Sequence, residues 1–276
     1  TPMKTCFSCE HFSSSLYTQE RKKAFHAFLD AADTARHAIA YRPLAADEYL
    51  SAAIALARAA QLSRQLPPTK YTAEELTFAS DAAQHQALVL QPTNPSVLLD
   101  VAKAQAYLAK GSPLAQGHYQ RAAKALSAAI NLESRSAERA FRIAGSIPVN
   151  QARQVDYGSS SRGAYEAARH WFLRGEQALG DEILEKELKK HTHFSPLLFL
   201  SAERIRANEG EAQAREAYQL FLDQSDEENG LRAWALFWTA QHDAAGNLFR
   251  RLLQQNPTSN WLKTGLEKTE ERMSRP

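Results

Sequence analysis

The sequence predicts an all-α protein made of many short helices, and three observations carry the prediction. Among 276 residues there are only 11 glycines and 11 prolines, alanine is abundant and runs of β-branched residues are few, a composition that favours helix. Apolar residues recur at helical spacing, as in Val97, Val101, Ala104 and Leu108 or Leu198, Ala202 and Ile205, and no segment shows the two-residue alternation of a half-buried strand. Start and stop signals follow one another closely along the whole chain.

Residues 1–13 are expected to be a flexible tail. Helices follow near 14–41 and 44–66, the second stopped by Pro67-Pro68. The third, near 71–91, opens with Thr72 and Glu75 at capping-box spacing and stops before Pro92. The fourth, 95–110, starts at Asn94-Pro95 and stops at Gly111. The fifth, 113–133, starts at Ser112-Pro113, each of these starts pairing a good cap with proline in the first turn. A sixth is expected near 135–146. The rhythm then breaks in "GSIPVNQARQVDYGSSSRG", Gly145 to Gly163, where proline, glycines and serines indicate a loop or short helix. That segment is expected to be a plain connector, with a hinge or a recognition loop as alternatives. Helices resume near 161–179, 181–191, 195–209, 211–224, 228–242, 243–255 and 259–272. Gly180, Gly210 and the starts Ser195-Pro196 and Ser225/Glu228 mark their limits. The expected division is a helical array over 14–146, a connector over 147–160 and a second array over 161–276.

The stretch "AAGNLFRRLLQQNP", Ala244 to Pro257, places Ala245, Phe249 and Leu252 on one helical face and ends on proline. Upstream, Ala122, Leu126, Ala129 and Leu132 repeat that face, and Ala87, Leu90 and Pro92 keep its closing part. A small residue lets a partner helix approach, a large one fills the gap, and proline turns the chain into the next unit. On these residues the sequence resembles the tetratricopeptide-repeat superfamily, antiparallel helix pairs of roughly 34 residues stacked into a superhelix. The pairs at 95–133, 195–224 and 228–257 carry the resemblance. The first-helix pattern is loosely kept by Leu198-Ala202-Ile205 and by Trp234-Trp238-Gln241, and 14–66 does not match. The resemblance implies a superhelical array whose last segment, "SNWLKTGLEKTEERM", caps the stack with a polar outer side.

Composition narrows the function. The 33 basic and 31 acidic residues nearly cancel, leaving no concentrated basic face for nucleic acid. A mean hydropathy of −0.47 and the lack of a long apolar run argue against direct membrane insertion. Cys6, Cys9 and His11 are too few for a zinc site, and Glu10 stands where covalent haem attachment needs histidine. His191 and His193 with Glu187 resemble a solvated helix end more than a metal site. "GSSSRG" lacks the spacing and lysine of a P-loop, and no nucleophile elbow or H-E-x-x-H is present. The expectation is a chain without enzymatic activity, metal or cofactor. Trp171, Phe172, Trp234, Phe237 and Trp238 are expected to fill the core rather than to cage a ligand.

In the family it resembles, the first helix of each pair lines the concave face. Carried over position by position, that nominates Gln105, Tyr165, Arg169, Phe199, Glu203 and Arg206 as contacts for a protein or peptide partner. The expected role is a scaffold or adaptor. Two other readings are a ligand-binding or sensory module closing round a small molecule, with 145–163 as hinge or lid, and an accessory domain of a larger membrane-tethered enzyme. A start at Thr1-Pro2 without methionine is expected of a processed or trimmed chain, and with the C-x-x-C it permits a bacterial extracytoplasmic setting.

Overall fold

The computed structural model describes residues 7–274, and for residues 7–17 the backbone only. All regular structure in these residues is helical. The chain divides into two compact units, residues 1–163 and 164–276.

The first unit begins with α1 (Phe7–Tyr41), α2 (Ala46–Ser63) and α3 (Ala73–Leu90). It continues with α4 (Pro95–Ala109), α5 (Ala115–Leu132), α6 (Ala137–Ala144) and the single turn α7 (Val149–Ala152). Helix α2 packs against α1, α3 and α4. Its composition explains how one helix serves three neighbours: Ala52, Ala53, Ala57, Ala59 and Ala60 are at most 2% exposed, so backbones on several sides can come close. Leu56 on the same helix joins Phe25, Leu76 and Leu108 in one apolar cluster. Neighbouring helices pair α2 with α3 and α4 with α5, and the first members, α2 and α4, also touch each other.

The starts expected from sequence are partly realised. Thr72 and Glu75 form a complete capping box, and Asn94 accepts a bond from the Ser96 N–H with Pro95 in the first turn. Ser112 caps a turn rather than the helix, its hydroxyl accepting from Leu114 N–H before α5 begins. Helix α1 starts seven residues before the expected position. Cys6 lies outside the described residues, as do the side chains of Cys9 and His11.

The segment 145–163 is held to α5. Ile147, Ala152 and Val155 are buried, the Asp156 N–H donates to Ser127 Oγ, and Gly158 takes a positive φ of 71° against Asn131. Apolar burial and a backbone N–H bonded to a side chain of α5 hold this connector in place.

The second unit holds α8 (Ser161–Leu173, beginning at the unit boundary), α9 (Gln177–Leu188), α10 (Ser195–Glu209) and α11 (Glu211–Gln224). Then come α12 (Gly230–Trp238), α13 (His242–Gln255) and α14 (Asn260–Ser274). Here α10 pairs with α11 and α12 with α13, while α12 also touches α10 and α14. Two expected boundaries are corrected. Gly180 does not end a helix: it sits buried inside α9 because a Cβ there would strike the ring of Phe172, and the stop falls at Gly175 with φ 78°. Ser225 does not open α12. Asn229 does, accepting from Arg232 N–H, while buried Ser225 follows the end of α11. The aromatics lie between helices. Trp234, 7% exposed, meets Phe249 and Phe237 edge-on, and Trp171 is buried at 4%.

Candidate functional site

Two of the six nominated residues are turned inward. Gln105 on α4 is 4% exposed. Its Nε2 donates to Asp81 Oδ1 at 2.7 Å and to Gln84 Oε1 at 2.8 Å on α3. Its Oε1 accepts from Arg121 Nε at 3.0 Å on α5 and lies 2.8 Å from His118 Nδ1. An amide so occupied ties three helices together and presents nothing to a partner, which corrects its nomination. His118 is 1% exposed, and burial, then Arg121, pushes its pKa down, so it stays neutral. Phe199 on α10 is 8% exposed and stands edge-on to Tyr218 and Phe221 on α11. It too is core, because the pair α10–α11 needs a large ring to fill its interface.

Tyr165 is half-buried against the Ala168, Leu184 and Leu197 cluster, and Arg169, one turn on, is exposed and 3.4 Å from Glu166. The structure brings Glu203 and Arg206 together on α10. Arg206 Nη2 donates to Glu203 Oε2 at 2.7 Å, and the buried Tyr218 hydroxyl donates to Glu203 Oε1. Burial first, then the bond to Glu203, pushes the Tyr218 hydroxyl upward, so it remains a donor. The hydrogen bonds that Arg206 donates to Glu203 raise the Arg206 pKa further.

Sequence reasoning did not foresee the surface that this cluster supports. The Arg206 guanidinium lies 4.4 Å from the ring centroid of Trp238 on α12, and that ring is stacked on Trp234 at 5.9 Å. Beside Trp238 is a notch of ≈ 180 Å³ lined by Glu211, Phe237, Lys268, Glu271 and Arg272. Lys268 stands 5.9 Å from the Trp234 ring, and Arg272 reaches Glu211 at 3.3 Å. Trp238 is partly buried and Lys268 exposed. The strip therefore joins the C-terminal halves of three alternate helices, α10, α12 and α14, with both signs of charge round an aromatic face. The available signal was the pair Trp234 and Trp238, four apart on one helix face.

His191 and His193 diverge. His191 Nε2 is 3.5 Å from Glu187 Oε2, while His193 Nδ1 is 3.3 Å from Gln224 Oε1. No group of three His, Cys, Asp or Glu side chains among the described residues is placed to hold a metal ion. No helix among the described residues is long and apolar enough to cross a membrane. The chain matches no protein-family model and no curated protein.

Proposed function

We propose that the protein is a non-enzymatic helical-repeat module of tetratricopeptide type, holding a protein or peptide segment against the first helices of its pairs. The observation that carries this reading is the strip formed by Arg206, Trp238 and Lys268. Tryptophan and arginine are the side chains from which interface hot spots are most often built, and here both are held in place before any partner arrives. Mixed charge round an aromatic face suits an extended peptide or the flank of a partner helix. The packing of Trp171 and Trp234 between helices favours this reading over a superhelix closed round a small molecule. The role that follows is a scaffold or adaptor, with assembly of a bacterial envelope complex as the setting to test.

The test is an affinity pull-down from lysate and envelope fractions of the source organism. The native chain is compared with Arg169→Glu/Lys268→Glu, two exposed positions whose reversal should leave the circular dichroism spectrum unchanged. A polypeptide retained by the native chain and lost from the variant is the expected result. Equal retention by both, or no polypeptide retained by either, refutes it.

A further inference from the structure

Apart from that strip, the first unit contains a cavity of ≈ 690 Å³ beside α1 and α3 and over α2. Small-molecule sites are typically about 300–1,000 Å³. Its floor is hydrocarbon: Phe25, Leu29 and Ala32 from α1, Leu56 from α2, Leu76 and Ala79 from α3. Along α1 the lining runs from Lys22 to Arg36, about 21 Å at the helical rise, which is long enough for an extended acyl chain.

The two ends of the cavity differ. Helices α1 and α2 pack together and are joined by residues 42–45, so the far end of α2 and the loop after it come back alongside Lys22 and His26. There Leu66 to Tyr71 wall the cavity. Lys22 and Lys70 line this end, and among the described residues neither has a carboxylate partner. The Lys70 ammonium lies 5.3 Å from the Tyr71 ring. Glu75 is engaged by its own helix cap, accepting from the Thr72 N–H at 2.8 Å and hydroxyl at 3.1 Å. The acidic groups Asp30 and Asp33 stand further along α1, where Asp33 is 3.5 Å from Arg36. A trough with one cationic, walled end and an apolar floor matches a ligand with a single anionic head and one hydrocarbon tail.

We propose that this cavity binds a single-chain anionic amphiphile, its tail along the part-exposed Leu29, Leu66 and Ala79 above the Phe25, Leu56 and Leu76 core, and its carboxylate or phosphate head at Lys22 and Lys70. Each methylene taken from water onto that floor favours binding. The exposed ammonium groups select the sign of the head and lose little hydration in doing so. This site is separate from the peptide strip and stands or falls without it.

The experiment is a fluorescence titration of the whole chain with cis-parinarate, followed by displacement with palmitate, dodecyl phosphate and dodecyltrimethylammonium below their micellar concentrations. Saturable binding is expected, with the cation displacing the probe roughly tenfold less well than the anions. The stronger of the two anions distinguishes a carboxylate from a phosphate head. Lys22→Glu/Lys70→Glu, at exposed positions, should weaken displacement by the anions roughly tenfold and leave the thermal midpoint in place. Ala79→Trp should place an indole across the path of the tail and weaken probe binding at least roughly tenfold while the helical spectrum is kept. The proposal is overturned by absence of saturable binding, by equal displacement with cation and anions, or by unchanged affinity in both variants. Capture of a polypeptide at this cavity with no amphiphile bound overturns it as well.

Discussion

Gly265→Ala sets two effects of known sign against each other. Gly265 is inside α14, where alanine is favoured over glycine by about 1 kcal/mol of helix propensity. A methyl group there would stand 3.0 Å or closer to three ring carbons of Phe249, well inside the ~3.5–4.0 Å at which carbon atoms rest. Phe249 has no room to retreat. It is fully buried, with Trp234 edge-on at 5.5 Å. Overpacking of a tight core costs about 1–3 kcal/mol, and contacts this short put this substitution at roughly 2–3 kcal/mol, so after the gain in propensity the second unit should lose a net ~1–2 kcal/mol. Gly246→Ala, on α13, is the control. There the new methyl meets Thr269 Cγ2 at 3.5 Å, an ordinary contact, and stability should rise by about 0.5–1 kcal/mol. All four tryptophans, at 171, 234, 238 and 261, belong to the second unit, so their fluorescence during urea unfolding reports that unit alone. Its midpoint should fall by about 0.5–1 M for Gly265→Ala and rise for Gly246→Ala. An unchanged or raised midpoint for Gly265→Ala would refute the close approach of α13 and α14 on which the reasoning rests.

Three further outcomes are expected. His170 is 8% exposed, and burial, then Arg174, lowers its pKa from 6.5 to about 4. The unfolded chain therefore takes up that proton first, and the stability due to the neutral ring is complete above pH 6.5, falls as pH drops towards 4 and is level below. At ~1.4 kcal/mol per unit the loss is about 3 kcal/mol, and His170→Gln should flatten this part of the urea-midpoint profile. Gln105→Leu leaves Asp81 and Gln84 short of a buried donor and should cost the first unit roughly 2–3 kcal/mol, measured by far-ultraviolet circular dichroism in urea. A midpoint unchanged in that variant would show that water takes over the amide's role. Ala245→Trp, at a fully buried position in α13, should destabilise the second unit by about 1–3 kcal/mol, whereas an unaltered tryptophan transition would place Ala245 outside the contact.

Local signals proved legible where one residue decides a backbone angle or a cap. Thr72 and Glu75, Asn94-Pro95, Gly111 and Gly210 mark helix limits through their own chemistry, independently of the rest of the chain. Gly180 misled because glycine has two uses. Its sequence neighbours suggest a stop, but its place in α9 answers to Phe172, which belongs to a different helix. The buried alanines of α2 could be read as helix formers, and only the fold shows them as the contact surface of three neighbours. For the candidate site, spacing brought Glu203 and Arg206 to one helix face, but it did not reveal which side of α10 or α4 meets the core. Phe199 and Gln105 were nominated from a face assignment, and a rotation of the helix by one position turns a ligand contact into a packing residue. The partnership of Arg206 with Trp238 links residues on two helices, which no periodicity within either one encodes.

The pattern of helix contacts has a kinetic consequence. Substantial contacts join helices that are adjacent in the chain or one apart, such as α2 with α4 and α12 with α14. Contact order is therefore low, and little loop-closure entropy has to be overcome before native contacts begin to form. Either unit can nucleate at a single hairpin of helices and grow by adding the next. A chain emerging from the ribosome would thus have a native contact surface for α3 as soon as α2 is complete, without waiting for its own C-terminus.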